Sequence, residues 1–220
     1  MNKLIFYLFF FLTFLSYAQN ADEIVTKNLE NTGGLKNWKK LNSIKLIGTV
    51  NLNLGESFSV EIIQKKENLT KTTFIINNKK QVIEGYDGKK AYQMNFSTNK
   101  VETLTTYQAE PFESDLINYK EKGFTIKYVG QEKIENKNCY KIQLKKDDKS
   151  FFYYFNIKHL HLEKEENENE IILYSDYKKV GGYQFAFRIE SINKKDNSSF
   201  VIELNKIEIN PKLTIKDFRR

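Results

Sequence analysis

The chain has 220 residues, with 35 Lys or Arg against 28 Asp or Glu, a formal net charge of +7. That length suits one domain with a sizeable core, and the single cysteine, Cys139, excludes an internal disulfide. The basic residues alternate along strand-like segments, as on a solvated sheet face, and form no stripe with stacking aromatics, so no nucleic-acid partner is expected.

Residues 1–18, MNKLIFYLFFFLTFLSYA, read as a signal peptide. Lys3 is a short positive region, Leu4 to Leu15 is apolar apart from Thr13, and Ser16-Tyr17-Ala18 fits a small-x-small cleavage site. The apolar run is shorter than the roughly 20 residues a spanning helix needs. The expectation is export and cleavage, leaving one mature domain, 19–220.

Asn20-Ala21-Asp22-Glu23 has the form of a capped helix start, and Gly33-Gly34 supplies its stop. Ile24, Val25 and Leu29 give that helix an apolar stripe. Leu35, Trp38 and Leu41 suggest a second short helix pinned by the only tryptophan. Period-two alternation then takes over. Ile44, Leu46, Val50 and Leu52 share one face of a strand, with Gly48 among them allowing a bend or a close approach. Phe58, Val60 and Ile62 repeat the pattern, as do Thr72, Phe74 and Ile76, then Val82 to Tyr86. Asp87-Gly88 is a hairpin signal; Tyr92, Met94 and Phe96 follow, then a short strand near Val101 to Leu104.

The strongest helix signal lies at Pro111 to Gly123. Pro111 suits the first helical position, Glu113 and Asp115 the first turns, and Gly123 the stop. Phe112, Leu116 and Tyr119, spaced four and three, would share one face. Strands resume at Phe124, Ile126 and Tyr128, and at Tyr140, Ile142 and Leu144 after a polar stretch, Glu132 to Asn138. Phe151 to Phe155 is apolar on both faces and needs cover on both. Leu160 and Leu162 begin another strand and Ile171 to Tyr177 a further one. Gly181-Gly182 turns into Tyr183, Phe185, Phe187 and Ile189. Phe200, Ile202 and Leu204 form the last long strand, and a tail with Leu213, Ile215 and Phe218 should pack back. About a dozen consecutive antiparallel strands is more than an open sheet carries without curling. A curled sheet of that width leaves an interior to be filled by helices, a ligand or both.

Catalytic signatures are absent, and neither an enzyme nor a cofactor is expected. His159 and His161, the only histidines, lie two apart with Glu163 next; against Leu160 and Leu162 they read as a solvated strand face rather than a metal site. Asp147-Asp148 reads as a turn. Glu84 and Asp176 are scattered acids that would need to meet across the sheet, and Cys139 reads as a small strand residue.

Several stretches together resemble the LolA-like outer-membrane lipoprotein-sorting proteins of the Bacteroidetes type. They are the first helix with Gly33-Gly34, Tyr86-Asp87-Gly88-Lys89, Asp115 to Gly123, Gly130 to Tyr140, Asp176 to Phe185, and Ile207 to Pro211. Two departures stand out: Ala91-Tyr92 where the family tends to have Gly-Trp, and Phe185-Ala186 where it tends to have Phe-Pro. The resemblance implies a mainly β (α+β) fold like that of LolA and LolB, a curved antiparallel sheet forming an incomplete β-barrel with helices as lid or plug. It further implies a monomeric, non-catalytic carrier or chaperone for the acyl chains of lipoproteins or another lipid, placed in the periplasm after crossing the inner membrane, with an inner-membrane donor and an outer-membrane acceptor as partners. The expected lipid-contacting residues are Phe58, Ile62, Phe74, Ile76, Met94, Phe112, Leu116 and Tyr119. The competing expectation is a filled β-domain serving as a structural or interaction module of the cell envelope.

Overall fold

The structure is a computed structural model that describes residues 21–53 and 55–220. The expected signal peptide and the Asn20 cap lie outside these residues. Two short helices, α1 (21–31) and α2 (Leu35–Lys40), precede the strands. Six strands follow: β1 (Ser43–Leu52), β2 (Ser57–Lys65), β3 (Leu69–Ile76), β4 (Lys79–Tyr86), β5 (Ala91–Asn95) and β6 (Lys100–Leu104). After a long connection come β7 (Thr125–Ile134), β8 (Lys137–Lys146), β9 (Lys149–Asn156) and β10 (Leu162–Glu166), then β11 (Glu170–Val180), β12 (Tyr183–Asn193) and β13 (Ser199–Ile209).

These strands form one 13-stranded antiparallel sheet in the order β6-β5-β4-β3-β2-β1-β13-β12-β11-β10-β9-β8-β7. It consists of two meanders joined where β1 pairs with β13. Because every neighbour is antiparallel, the two edge strands, β6 and β7, run in the same direction. The connection between them, residues 105–124, must therefore travel the length of the sheet, from the end where β6 stops to the end where β7 starts. That latter end, called the upper end below, also carries the turns at 147–148 and 167–169.

This connecting strap is where sequence and structure differ most. The helix expected over Pro111 to Gly123 is absent; consecutive turns take its place. Asn118 has φ 54°, a left-handed conformation that a right-handed helix cannot contain and that Asn tolerates better than most residues. The bonds around it are accordingly mixed: Ile117 N–H donates to the Ser114 carbonyl at 3.0 Å, Lys122 to Asn118 at 3.1 Å, and Phe124 to Tyr119 at 2.9 Å. The expected single stripe is split as well. Leu116 and Tyr119 pack with α1 and β8–β9, whereas Phe112 packs with the β1–β12–β13 cluster. The segment is a strap, and the helical cover comes from α1.

α1 buries Ala21, Ile24 and Val25 against Leu116, Tyr119, Ile142, Leu144, Tyr153 and Phe155, each large apolar side chain contributing about 1.5–3 kcal/mol on burial. At its far end the Asn28 amide donates to the Leu160 carbonyl at 2.6 Å, and Gly34 N–H closes the helix onto the Leu29 carbonyl at 2.7 Å. Trp38 of α2 stands edge-on to Tyr183 and Phe185, with ring centroids 4.9 and 5.5 Å away, so the second helix is pinned to β12 as expected.

The close approach expected at Gly48 is real. It sits at an irregularity in the β1–β13 register, and a Cβ there would lie 2.2 Å from the Glu203 carbonyl oxygen. The tail packs back: Phe218 is fully buried with Ile63 and Leu69, and the Tyr92 hydroxyl donates to the Phe218 carbonyl. Ile215 stays exposed. The strand Phe151 to Phe155 is covered on both faces, by different means. Tyr153 and Phe155 meet α1, while Phe152 and Tyr154 lie under lysines, with Lys141 5.1 and 5.0 Å from their ring centroids and Lys164 4.6 Å from that of Tyr154. The polar stretch Glu132 to Asn138 is mostly strand, with its turn confined to two residues between β7 and β8.

Candidate functional site

Between the strap, the two helices and the concave face of the sheet lies a cavity of about 1080 Å³. Well-packed interiors hold few voids larger than a water molecule, and small-molecule sites span about 300–1,000 Å³. This space is therefore not a packing defect. Its lower wall is mainly apolar, with Trp38, Leu41, Ile44, Leu46, Phe185 and Ile207 beside the polar Asn28, Thr32, Gln64 and Gln184. The strap supplies Pro111, Phe112, Leu116 and Ile117, and α1 supplies Leu29. Toward the upper end the wall becomes mixed, with Phe151, Tyr153, Ile172 and Tyr174 beside Asp115, Glu165 and Glu170.

Register explains the mixture. Glu165 pairs with Tyr153 on β9 and Ile172 on β11, so its side chain shares their concave face. The Tyr174 hydroxyl donates to it at 3.2 Å. Burial pushes the Glu165 carboxyl above the ordinary carboxylate range; hydrogen bonds from Tyr174 and Tyr153 pull it back, and the charges of Asp115 and Glu170 push it further up. Asp115 is also raised, first by burial, with Lys122 and Lys146 opposing. The Ser191 hydroxyl donates to Glu170. Lys122 staples the strap to itself: its ammonium lies 3.7 Å from Glu113 and 3.9 Å from Asp115, and donates to the Ser114 carbonyl at 2.7 Å.

Of the residues expected to contact lipid, Phe112 and Leu116 line the cavity. Tyr119 is buried behind it, donating a hydrogen bond to Asp22 of α1. Phe58, Ile62, Phe74 and Ile76 cluster with Val50 and Val60 on β1–β3, outside the cavity wall, and the Phe58 and Phe74 rings stack at 5.3 Å. Met94 is buried on β5, beside the Gln81 amide. Sequence reasoning missed Trp38, Tyr174 and Glu165 as wall residues. The two-sided apolar run Phe151 to Phe155 was the available signal for Glu165, since whatever pairs with Tyr153 must share its face.

The remaining candidates resolve locally. His159 lies in the β9–β10 turn, not on a strand, and Leu160 beside it has φ 54°. His161 stacks on Tyr177 at 4.2 Å, and burial lowers its pKa. No group of three metal-ligating side chains occurs among the described residues. Glu84 accepts from Thr72 at 3.4 Å on the β3–β4 pair, whereas Asp176 pairs with Lys178 at 2.7 Å on β11, so the two acids do not meet. Asp147 has φ 52° in the β8–β9 turn. Cys139 is fully buried, and burial pushes its thiol up to about 11, far from the range of reactive thiolates.

No protein-family model and no curated protein matches the chain. Solved structures do match over nearly its whole length. One is a domain described as an outer membrane lipoprotein-sorting protein from Vibrio parahaemolyticus (TM-score 0.58, 12% identity, covering 91% of this chain and 97% of that one). Another is a LolA superfamily protein from Nitrosomonas europaea (0.57, 13%, 93% and 98%). A third is a DUF1329 family protein from Desulfovibrio piger (0.56, 11%, 92% and 97%). The chain thus has the LolA-like fold, a mainly β architecture of one 13-stranded antiparallel sheet with two short helices ahead of it. At these identities the likeness is one of fold, and it does not single out the Bacteroidetes type.

Proposed function

We propose that this protein carries acyl chains, those of a lipoprotein or another lipid, through the periplasm in the cavity beneath the strap, with no chemistry of its own. The carrying observation is the cavity of about 1080 Å³ whose lower wall is mainly apolar. Each buried methylene is worth about 0.8 kcal/mol, so one long chain offers on the order of 10 kcal/mol. Spontaneous release into water would then be very slow, and unloading requires direct transfer to an acceptor. A cavity closed on one side by a strap rather than by sheet suits such a transfer. The signal-peptide reading of residues 1–18 supports export, and the resemblance suggests an inner-membrane donor and an outer-membrane acceptor. No helix among the described residues is long and apolar enough to cross a membrane.

The test is native mass spectrometry and lipid extraction of the purified protein and of Phe112→Asp, a half-buried wall residue. Acyl lipid should accompany the wild type and be lost from the variant. A protein that arrives empty and takes up no added acyl compound would sink the carrier reading. The competing reading, an envelope interaction module, draws support from β7, a ten-residue strand at the edge of the sheet among the described residues. It would gain if the cavity stayed empty while an envelope protein paired along β7.

A further inference from the structure

Glu165 stands out at the mixed upper end of the cavity because register sets it on the concave face, where the Tyr174 hydroxyl holds it. Among the described residues the wall carries six carboxylates and three lysines, in a chain whose overall charge is +7. Glu110 and Asp147 are exposed, and Lys122 and Lys146 act on Asp115, so the uncompensated negative charge inside rests chiefly on Glu165 and Glu170. Lys146 and Lys149 are exposed, and Lys122 is held by Glu113, Asp115 and the strap carbonyls. Asp115 and Glu170 are near enough to act on Glu165 electrostatically.

Hydrogen-bond counting gives this charge a direction. An ionised carboxylate accepts at about four lone-pair sites. Tyr174 occupies one, spending its only O–H, and Tyr153 stands beside Glu165 on the same face. In the ionised form, what remains toward the cavity is acceptor capacity and negative charge. A ligand head beside Glu165 must therefore donate hydrogen bonds. A carboxylate or phosphate there would be an unpartnered like charge in a partly desolvated site, which weakens binding by at least about tenfold. The acyl chain would extend from this upper end along the apolar lower wall.

We propose that Glu165 is a specificity-determining residue that selects an uncharged amphiphile with hydroxyl or amide donors at the base of its acyl chain and rejects anionic ones. This deepens the carrier reading and rests on it. In a compartment bounded by phosphate-bearing lipids, such a filter keeps a carrier from filling with bulk membrane lipid.

The experiment is calorimetric titration of the protein with monolaurin, lauramide and laurate at neutral pH, repeated on Glu165→Gln. Monolaurin and lauramide separate a hydroxyl from an amide as the preferred donor, and the tighter of the two should bind the wild type at least about tenfold more tightly than laurate. In Glu165→Gln, whose amide can itself donate, that ratio should shrink to within about threefold. Laurate binding the wild type as tightly as both neutral compounds would overturn the inference while leaving the carrier reading intact, as would an unchanged ratio in the variant. Binding of none of the three would overturn both. The wild-type comparison decides even if the variant fails to fold.

Discussion

Glu165 and Glu166 are neighbours on β10, yet their carboxyls are pushed in opposite directions. Glu165 shares the concave face with Tyr153 and is raised by burial. Glu166 points to the other face. Burial raises it too, but Lys164 at 2.7 Å, Lys194 at 2.6 Å and the Tyr154 hydroxyl outweigh that and hold it at about 2. One residue of strand register separates a cavity wall from a surface ion-pair network.

Stability should respond to the two with opposite signs. Glu166 is depressed from an ordinary 4.5, so its contribution is full above that value and is lost as pH falls from 4.5 toward 2. Glu166→Gln should cost on the order of 1–2 kcal/mol at neutral pH, after discounting for solvent screening, with the gap closing below pH 4.5. Glu165 is raised above 4.5, so ionising it disfavours the folded state. Glu165→Gln should therefore be the more stable protein at neutral pH, and its advantage should shrink as pH falls through the raised value to 4.5. Urea unfolding of both variants from pH 7 to pH 3 measures this. Parallel curves for the two would refute the opposed shifts.

A second prediction concerns the strap. If the left-handed Asn118 is what prevents a helix from Pro111 to Gly123, the backbone should set the cost of replacing it. Asn118→Gly should leave the urea midpoint within about 0.5 kcal/mol of wild type, whereas Asn118→Val should lose about 1–2 kcal/mol. Equal losses in both would mean that the side chain's contacts matter and its φ does not.

The contrast between Asn118 and the strands shows what the sequence carries. Alternation placed Ile44, Leu46, Val60 and Phe74 on strands because burial on one face writes a period of two into the chain. Local helix signals around Pro111 and Gly123 were equally regular but lost to tertiary demand: Leu116 and Tyr119 pack toward α1 while Phe112 packs toward β1, β12 and β13, and consecutive turns with Asn118 left-handed serve both. The site was legible in part. Phe112 and Leu116 line it because the strap does cross the concave face. Phe58 and Phe74 alternate just as well, yet they pack on each other, and no period distinguishes a wall residue from a core residue. Glu165 was hidden in an acidic run that reads as solvated. Only the register shift between Leu162 and Lys164 decides which of its neighbours faces inward.

Gly48 offers a sharper test of the join between the two meanders. A methyl group there meets the Glu203 carbonyl, a backbone atom that cannot rotate away. Gly48→Ala should cost about 1–3 kcal/mol through overpacking, lowering Tm by roughly 2–4 °C per kcal/mol in a domain of this size. Calorimetry would show it. An unshifted Tm would mean that the irregularity opposite Gly48 relaxes freely and does not lock β1 to β13.

The strap is tied to α1 by one polar contact worth measuring alone. Tyr119 is buried, and its hydroxyl donates to Asp22, which also pairs with Lys120 at 2.9 Å. Hydrogen bonds to charged acceptors contribute about 1.5–3 kcal/mol. Asp22 retains 39% of its side-chain exposure, so water replaces part of what the mutation removes, and Tyr119→Phe should sit near the low end of that range. Asp22→Asn in the Tyr119→Phe background should add less than it costs alone, because the two share one bond. Hydrogen exchange separates this from a general loss of stability. Amides of the strap and α1 should exchange faster than the global change accounts for, while those of β8 and β9 follow it. If strap amides track the global value, the strap does not open as a unit.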